Sequence, residues 1–443
     1  MDTKIIKCQV GIIGAGLAGL ASTLFCLNKG LDTLTVGDVS ELGFASGCLD
    51  FYGADKKDLS VSSNSPWAGF ESLVNSGLSH PYSFLSPSNI EASFDGFSSF
   101  MTSVGLPYCN EKDRNQLVIT PAGTLKPSWY IPAGMKAADV AVTEKKKILI
   151  LDINGLKGFS SAMIMENLKR YGLDVFSDSI KFPGRENSGE LNCEMMARDL
   201  EMDNVIDAFA QNILEKAGDA EVIGLPAILG IYRSESLRKK IVNIIGRDIF
   251  EIPTFSPSVP GLRIKELAFD GLSRKGGKLF LKSHIDEIEQ LNGKFVFRFQ
   301  SGQRNCIVEA ENIIMATGRF FGRGLKSENS RIVESLIGLY VSQPENRGNW
   351  FSDNFFDKCG HSINKAGVLT DSYFRPLNNA GSLFNENFYT VGSILGNQDW
   401  KREKSGAGIA ISTAYSAVQS ICMQASPFID SEHKLSNVNK TAA

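Results

Sequence analysis

The apolar and polar positions of this chain open with the pattern of a β-α-β unit. Residues 8–13 form a short apolar run that predicts a strand, and residues 14–19 form a glycine-rich turn. Apolar side chains then recur at helical spacing from Leu17 to Leu27, and a Lys-Gly pair follows where the helix would end. A second strand begins at residues 34–36.

Predicted strands and helices alternate along the rest of the chain, apart from a loop-rich stretch at residues 55–130, where Ser, Asn, Pro and Gly cluster. The further predicted strands are residues 145–153, 221–229, 278–282, 293–299, 312–316 and 387–391. The further predicted helices are residues 161–171, 202–217, 261–276 and 406–419. The alternation in the middle of the chain predicts a second α/β region.

Composition and charge narrow the class of protein. The chain has 443 residues, 43% hydrophobic and 21% charged, which allows one to three domains of an ordinary water-soluble protein. Its 46 basic and 49 acidic side chains leave a formal charge of −3, so a nucleic-acid binder is not expected. The eight cysteines lie far apart without zinc or iron–sulfur spacing, so we expect reduced thiols and no metal site. Glycines interrupt the uncharged residues 8–28, which argues against a signal peptide or a membrane span.

The first glycine run has the spacing G-x-G-x-x-G between a strand and a helix. Gly14 would make the tight turn, Gly16 would let the backbone approach a pyrophosphate, and Gly19 would let the helix pack on the strand. The backbone of Ala15 and the helix N-terminus would then face the phosphate. The run therefore predicts a phosphate site for a nucleotide or a flavin, and the alternative is a purely structural turn.

The position that usually holds the adenosine ribose is changed. Dinucleotide-binding folds place an acidic residue at the end of the second strand, but Gly37 stands there and Asp38 follows it. Either Asp38 takes the role from a shifted register, or the adenosine half is held poorly or is absent, as it would be for FMN. A third alternative is that another residue holds the ribose.

The carboxyl-terminal part resembles the closing half of flavoproteins with two dinucleotide-binding domains. Its features are a strand that ends at Ala316-Thr317-Gly318, a later strand followed by Gly392-Ser393, and a glycine-rich helix start. In such proteins the last helix directs its N-terminus at the flavin pyrimidine, where negative charge accumulates on reduction. The Gly-Asp pair of that family, which binds the ribityl chain, is Gly392-Ser393 in this chain, so a hydroxyl replaces the carboxylate.

A narrower resemblance covers nearly the whole chain, and its most specific motif is the proline-rich run within IPTFSPSVPGLRI at residues 252–264. The other motifs are GAGLAGL at 14–20, FASGCLD at 44–50, HPYSFL at 80–85, GTLKPSW at 123–129, ATGRFFGRGL at 316–325, TDSYFRP at 370–376 and FYTVGSILG at 388–396. With these motifs the chain resembles the B subunits of anaerobic glycerol-3-phosphate dehydrogenases. The charged residues 397–405 depart from the plainer glycine-rich lead that we expect before the last helix.

The resemblance implies a three-subunit oxidoreductase that oxidises sn-glycerol 3-phosphate to dihydroxyacetone phosphate in anaerobic respiration and passes electrons to the quinone pool. It implies FMN in this subunit, with FAD as the alternative, beside an FAD-containing catalytic subunit and a membrane-associated iron–sulfur subunit. The chain would be cytoplasmic and peripheral on the inner face of the membrane through those partners. The alternatives are a non-catalytic electron-relay or scaffold subunit of the same complex and a fumarate-reductase-like flavoenzyme.

Thirteen residues are expected to contact the flavin: Gly14, Ala15, Gly16, Gly19, Asp38, Ser46, Gly47, Gly318, Gly392, Ser393, Gly406, Ala407 and Gly408. Oxidation of glycerol 3-phosphate also needs a cationic clamp for the phosphate and a base for the hydroxyl. The clamp candidates are Arg263, Arg319, Arg375 and the Lys401-Arg402 pair, and the base candidate is His361, with His80 as a second histidine. The commonplace alternatives are surface charges and a packed or solvated histidine.

These elements predict an α/β fold with a Rossmann-like flavin-binding domain and an inserted second α/β region. The flavin-binding domain would be discontinuous, formed by residues 1–60 and 295–425. Residues 61–294 would form the inserted substrate or interaction region, and residues 426–443 a polar tail.

Overall fold

The structure is a computed structural model that describes residues 3–54, 63–75 and 79–424, so the predicted polar tail lies outside the described residues. The strands are β1 (Thr3–Ile13), β2 (Thr33–Gly37), β3 (Tyr108–Asn110), β4 (Gln116–Ile119), β5 (Leu125–Ser128), β6 (Tyr130–Pro132), β7 (Ile148–Ile153), β8 (Val175–Ile180), β9 (Val222–Pro226), β10 (Asp248–Ile252), β11 (Lys278–Leu281), β12 (Ile288–Leu291), β13 (Lys294–Ser301), β14 (Arg304–Met315), β15 (Leu325–Ser327), β16 (Ile332–Glu334), β17 (Val341–Ser342), β18 (Gly367–Val368) and β19 (Phe388–Thr390). The helices are α1 (Leu17–Asn28), α2 (Pro66–Val74), α3 (Pro87–Ser103), α4 (Lys136–Glu144), α5 (Ser161–Lys169), α6 (Cys193–Asp199), α7 (Asp203–Lys216), α8 (Ser234–Ile245), α9 (Val259–Arg274), α10 (Trp400–Glu403) and α11 (Gly406–Gln424).

The larger sheet is built around β1. This strand pairs in parallel with β2 on one side and with β14 on the other, and β11 pairs in parallel with β2. The sheet continues antiparallel through β13 and β12, while the carboxyl end of β14 pairs in parallel with β19. The sheet extends from β1 to β2 and β11 on one side and to β14 on the other, so the order of strands switches sides at β1. Open α/β sheets bind ligands at the carboxyl ends of the strands beside such a switch point.

Burial along β1 and α1 explains why the opening of the chain folds in this way. The first half of β1 alternates between buried and exposed residues, whereas its last four residues are all buried, as in a strand covered on both faces. Helix α1 is buried continuously from Ala18 to Cys26, and its small residues allow close packing on α11. The carboxyl end of β1 therefore lies deep in the fold, where it positions the turn at Gly14.

The second sheet is parallel throughout and forms a separate α/β region. Its strand order is β8-β7-β9-β10, and helices α4 to α9 precede or follow its strands along the chain. Its hydrophobic core contains residues from Ile119 to Val259 and is distinct from the core around α1 and α11. The α/β class and the second α/β region that the sequence predicts are therefore confirmed.

Some boundaries differ from the expected ones. Strands β11 and β12 belong to the larger sheet, so the chain returns to this sheet at Lys278, before residue 294, the expected end of the inserted region. Helices α2 and α3 lie in the stretch expected to be loop-rich, and α3 packs on α11. The described part of the chain contains no helix that is long and apolar enough to cross a membrane.

The second region docks onto the loop that follows β2. The N–H of Ser258, directly before α9, donates to the carbonyl of Gly43 at 2.9 Å, and its hydroxyl donates to the carbonyl of Ala45. A side chain on Gly261 would lie 2.0 Å from the carbonyl oxygen of Leu42. The proline-rich run thus holds residues 42–47 in place beside the carboxyl edge of the larger sheet.

Candidate functional site

The glycine-rich turn after β1 closes directly against the turn after β14. Gly14 has a φ of +109°, and a Cβ there would lie 2.2 Å from the carbonyl oxygen of Ala316. A Cβ on Gly19 would lie 1.9 Å from the oxygen of Gly14, so the helix approaches the turn as closely as a backbone can. No side chain caps the N-terminus of α1 at Gly16. Its N–H groups and the positive end of the helix dipole are therefore available to a phosphate.

The end of β2 explains the missing acidic residue. A Cβ on Gly37 would lie 2.7 Å from the backbone nitrogen of Ala15, so no side chain fits where the strand passes the turn. Asp38, the next residue, lines a cavity together with Gly14, Ala15 and Gly16. The acidic side chain expected at the strand end is therefore displaced by one residue.

This cavity has a volume of about 590 Å³ and runs along the carboxyl edge of the larger sheet. Its lining comes from the turn after β1, from Gly37 and Asp38, from residues 283–286 after β11 and from residues 316–327 after β14. Arg323 and Lys326 line it as well, and neither makes an ion pair within the described ranges. The cavity thus joins a glycine-rich turn, the two carboxylates of Asp38 and Asp286, and two cations.

Buried polar atoms without partners mark the same edge. Within the described residues, Thr317 Oγ1, Arg319 Nη1 and Gln398 Oε1 are buried and make no hydrogen bond. Burial lowers the pKa of Arg319, against the opposing charge of Asp399. A buried polar atom without a partner costs free energy, most of all on a charged group. Of the three residues, Thr317 lines the cavity, so a ligand there can bond its hydroxyl.

Gly392 and Ser393 lie between the two helices that flank this edge. Gly392 has a φ of +81°, its Cβ would lie 2.6 Å from the side chain of Ala18, and its N–H donates to Thr413 Oγ1 at 3.0 Å. The carbonyl of Ser393 accepts a hydrogen bond from Gln398 at 3.2 Å. The pair therefore holds the turn after β19 against both α1 and α11.

The N-terminus of α11 is partly occupied by the protein itself. The N–H of Gly408 donates to the carbonyl of Asp50 at 2.7 Å, and a Cβ there would lie 2.1 Å from the hydroxyl of Tyr82. Among the described residues, the N–H groups of Gly406 and Ala407 have no acceptor. Two of the three residues at the start of α11 thus keep backbone N–H groups that can bind a ligand.

The loop of Ser46 and Gly47 is held from the side of the second region. Gly47 has a φ of +86°, its Cβ would lie 3.0 Å from Pro260, and its carbonyl accepts from the Tyr108 hydroxyl at 2.7 Å. Cys48 follows, and burial raises the pKa of its thiol. Contacts with Pro260 and Tyr108 therefore fix the backbone of this loop.

A buried polar network near α11 was missed by the sequence analysis. His80 Nε2 lies 3.2 Å from Glu403 Oε2, and His80 Nδ1 accepts from the N–H of Tyr82 at 3.1 Å. Ser405 Oγ also donates to Glu403 at 3.0 Å. Burial alone would raise the pKa of Glu403, but the hydrogen bonds from His80, the Asp399 N–H and Ser405 leave it lowered. The residues of the pair are 323 positions apart, so no local motif signals their contact.

A cluster of charges beside the loop of Ser46 was also missed. Lys126 Nζ lies 2.6 Å from Asp50 Oδ2, and Asp50 Oδ1 is buried without a partner in the described part of the chain. Lys404 lies two residues before α11, within electrostatic reach of both Asp50 and Lys126. The only sequence signal is the motif FASGCLD itself, which ends at Asp50.

The structure separates the candidates for catalysis and for the phosphate clamp. Arg319 lies at the sheet edge, whereas Arg375 forms an ion pair with Asp371 at 2.8 Å. His361 is held in a partly exposed loop, where Nδ1 accepts from the Ser352 N–H at 3.1 Å and Nε2 lies 3.2 Å from the Phe355 carbonyl.

Arg263 lies in the second region and forms a buried pair with Glu251, so it does not face the cavity. Of the candidates, only Arg319 presents a buried hydrogen-bond donor without a partner.

Two helix N-termini beside the second sheet, those of α5 and α8, are already occupied by carboxylates. Glu201 Oε1 accepts hydrogen bonds from the N–H groups of Ile231, Tyr232 and Arg233, which directly precede α8. Asp152 Oδ2 likewise accepts from the N–H of Ser161 at the start of α5. The protein's own carboxylates thus fill the positions at these helix N-termini that an anion would otherwise take.

Comparison with known proteins agrees with this geometry. The model of the FAD binding domain family matches residues 9–409. The chain is similar to the B subunit of the anaerobic glycerol-3-phosphate dehydrogenase of Aliivibrio fischeri, at 26% identity over 93% of this chain and 95% of that protein. The protein of the same name from Vibrio vulnificus is 28% identical over 94% of this chain and 96% of its own length. A probable B subunit from Halobacterium salinarum is 27% identical over 93% and 97% of the two chains. The resemblance drawn from the sequence motifs is therefore confirmed.

Proposed function

The chain belongs to the FAD binding domain family, and from that premise we propose that it is the flavoprotein subunit of an anaerobic sn-glycerol-3-phosphate dehydrogenase. It would oxidise glycerol 3-phosphate to dihydroxyacetone phosphate and pass the electrons through partner subunits to quinone. The observation that carries this proposal is the end-to-end match with relatives of that name, which covers 93% of this chain and 95% of the first relative. The geometry of the sheet edge independently supports the flavin-binding part of this proposal.

The residues at this edge fit a flavin. The turn of Gly14 and the uncapped N-terminus of α1 suit a phosphate, while the N–H groups of Gly406 and Ala407 suit the pyrimidine ring. Thr317 Oγ1 can bond the chain between them. When bound, a flavin supplies a hydride acceptor that can pass electrons on one at a time. The protein contributes binding, orientation and positive electrostatics.

The resemblance implies FMN, but the shape of the cavity favours FAD. An FMN molecule ends at its phosphate, and thus at the turn of Gly14. The cavity continues past that turn to Asp38 and to residues 283–286, where the adenosine of a dinucleotide would lie. Chromatography of the cofactor released by acid from the purified chain tests this choice. FAD is the expected result, and FMN alone would contradict it.

Electrons that leave the flavin need an acceptor, and we place it in a partner. The relatives are named as B subunits, which implies an assembly of several chains. We propose an FAD-containing catalytic subunit and an iron–sulfur subunit at the membrane as the partners. The chain would then lie peripherally on the cytoplasmic face of the membrane. Co-purification with subunits that carry an iron–sulfur cluster is the expected result.

A second candidate is an electron-relay subunit that does not oxidise the substrate itself. The placement of Arg375 and His361, both engaged by other groups of the protein, favours it. Anaerobic addition of sn-glycerol 3-phosphate to the purified, flavin-loaded chain without partners separates the two candidates. Loss of flavin absorbance supports substrate oxidation on this chain, and unchanged absorbance supports the relay.

A further inference from the structure

Three charged side chains converge beside the N-terminus of α11. Lys126 comes from β5, Asp50 from the end of the loop that contains Ser46, and Lys404 from the residue pair before α11. Lys126 Nζ lies 2.6 Å from Asp50 Oδ2, and both side chains are mostly buried, with 26% and 16% exposed. Because the carbonyl of Asp50 accepts the N–H of Gly408 at 2.7 Å, the cluster lies directly at the start of the helix.

The hydrogen bonds and charges of this cluster are incomplete. Asp50 Oδ1 is buried and has no hydrogen-bond partner, and Lys404 makes no ion pair, within the described residues. One carboxylate thus serves two ammonium groups, which leaves an excess positive charge at a partly buried site. Burial lowers the pKa of Lys404, and the neighbouring Lys126 lowers it further, against the attraction of Asp50. An unpaired charge and an unpaired oxygen in one cluster both cost free energy unless a ligand satisfies them.

The surrounding backbone holds the three groups in fixed positions. A Cβ on Gly53 would lie 3.0 Å from Cβ of Lys404 and 3.1 Å from Pro127, so the stem of Lys404 packs along this glycine. The N–H of Gly53 donates to the carbonyl of Glu403 at 2.9 Å. Lys404 itself has a left-handed backbone with a φ of 51°. Such a cluster is pre-organised, so a ligand pays little for ordering it.

We propose that Lys404, Lys126 and Asp50 form a binding subsite for a small ligand that carries both an anionic oxygen and a hydroxyl, as a phosphorylated polyol does. Lys404 supplies a donor for the anion, and Asp50 Oδ1 supplies an acceptor for the hydroxyl. Inorganic phosphate alone has no alcohol hydroxyl to donate to Asp50 Oδ1, and glycerol alone has no anionic oxygen for Lys404. The choice of sn-glycerol 3-phosphate as this ligand rests on the proposed function.

Anaerobic calorimetric titration of the purified full chain, with its bound flavin reduced beforehand by dithionite, tests the subsite through binding, because a reduced flavin cannot oxidise the ligand. The ligands are sn-glycerol 3-phosphate, inorganic phosphate and glycerol, and the variants are Lys404→Gln and Asp50→Asn. The control is Lys145→Gln, because Lys145 is exposed and shares the left-handed backbone of Lys404, with a φ of 55°. Flavin content and far-UV circular dichroism show that each variant is folded.

Lys404→Gln is expected to weaken the binding of both phosphate ligands by about tenfold or more, the worth of one hydrogen bond to a charged group. Asp50→Asn is expected to weaken glycerol 3-phosphate more than inorganic phosphate, and Lys145→Gln is expected to change neither. The subsite is refuted if wild type binds no phosphate ligand, or if Lys404→Gln binds both like Lys145→Gln.

Failure of the subsite is distinct from failure of the proposed function. Phosphate binding that depends on Lys404, without loss of flavin absorbance on adding glycerol 3-phosphate, leaves the subsite standing and removes substrate oxidation from this chain. Loss of absorbance that persists at unchanged substrate affinity in Lys404→Gln leaves the function standing and removes the subsite.

Discussion

Replacement of Arg263 by methionine tests whether this buried cation stabilises the fold or binds a ligand. Its guanidinium donates from Nη1 to Glu251 Oε2 at 2.6 Å and from Nη2 to Glu251 Oε1 at 2.8 Å, and its Nε donates to the Gly230 carbonyl at 2.8 Å. Glu251 Oε1 also accepts the N–H of Leu229 at 2.8 Å. Arg263 is 2% exposed and Glu251 is 3% exposed, so water cannot replace a lost partner.

Arg263→Met keeps much of the side-chain volume but leaves the Glu251 carboxylate buried without its cation. Removing one partner of a buried ion pair costs about 3–5 kcal/mol, and we expect that loss in the free energy of unfolding. The double variant Arg263→Met/Glu251→Leu removes both charges and is expected to recover most of the loss, since apolar replacements of buried pairs are often neutral.

Urea denaturation followed by far-UV circular dichroism at pH 7 measures these differences for wild type, both single variants and the double variant. If Arg263→Met lowers the free energy of unfolding by less than about 1 kcal/mol, the buried pair contributes no more than an exposed ion pair does, and the reasoning is refuted. A double variant as unstable as Arg263→Met would do the same. Folded Arg263→Met is expected to bind glycerol 3-phosphate like wild type, because its guanidinium is committed to Glu251 and Gly230.

Three further results are expected. Gly37→Ala should purify with little flavin, because the added Cβ would lie 2.7 Å from the Ala15 nitrogen. The control Gly43→Ala, whose Cβ would meet open space, should keep its flavin. Equal ratios of flavin to protein absorbance in the two variants would contradict this prediction. The pKa of Glu403 in the folded chain lies below its ordinary value of 4.5, so the unfolded chain binds the proton of this carboxyl more readily. The ionised carboxylate therefore stabilises the fold above pH 4.5, and this stabilisation is lost as the pH falls through the folded-state pKa. Urea midpoints at pH 7 and pH 4 should therefore differ less in Glu403→Gln than in wild type, and identical differences would argue against this. With a thiol reagent at pH 8, exposed Cys359 should be labelled quickly and buried Cys8, whose pKa is raised to about 12, should not. Peptide mass spectrometry that finds Cys8 labelled as fast as Cys359 would contradict this.

The periodic parts of the fold could be predicted from the sequence. The strand, the glycine turn and helix α1 carry strong local signals, and so do the apolar strand β7 and the small-residue helix α11. Helix α3 was missed because Ser, Asn and Gly dilute its apolar face. Its start was nevertheless marked by Ser86, whose hydroxyl caps the helix, and by Pro87 in the first turn.

The sequence predicts the candidate site only where close backbone contacts require glycine. Gly14 and Gly19 are required by contacts that no side chain permits, so their spacing is visible in the sequence. The contacts of His80 with Glu403 and of Asp50 with Lys126 join residues that are far apart in the chain, and only the fold brings them together. Local spacing did indicate one competing contact: Asp371 precedes Arg375 by four residues, and the two side chains form an ion pair.

The most direct test of the central claim is the amount of dihydroxyacetone phosphate formed in a single turnover. The purified chain, loaded with flavin and free of partner subunits, is mixed anaerobically with excess sn-glycerol 3-phosphate, and the product is measured by a coupled enzymatic assay. The proposed function predicts about one product molecule per bound flavin, formed at the rate at which the flavin absorbance is lost. Bound flavin that stays oxidised while no product forms would contradict the claim that this chain oxidises the substrate.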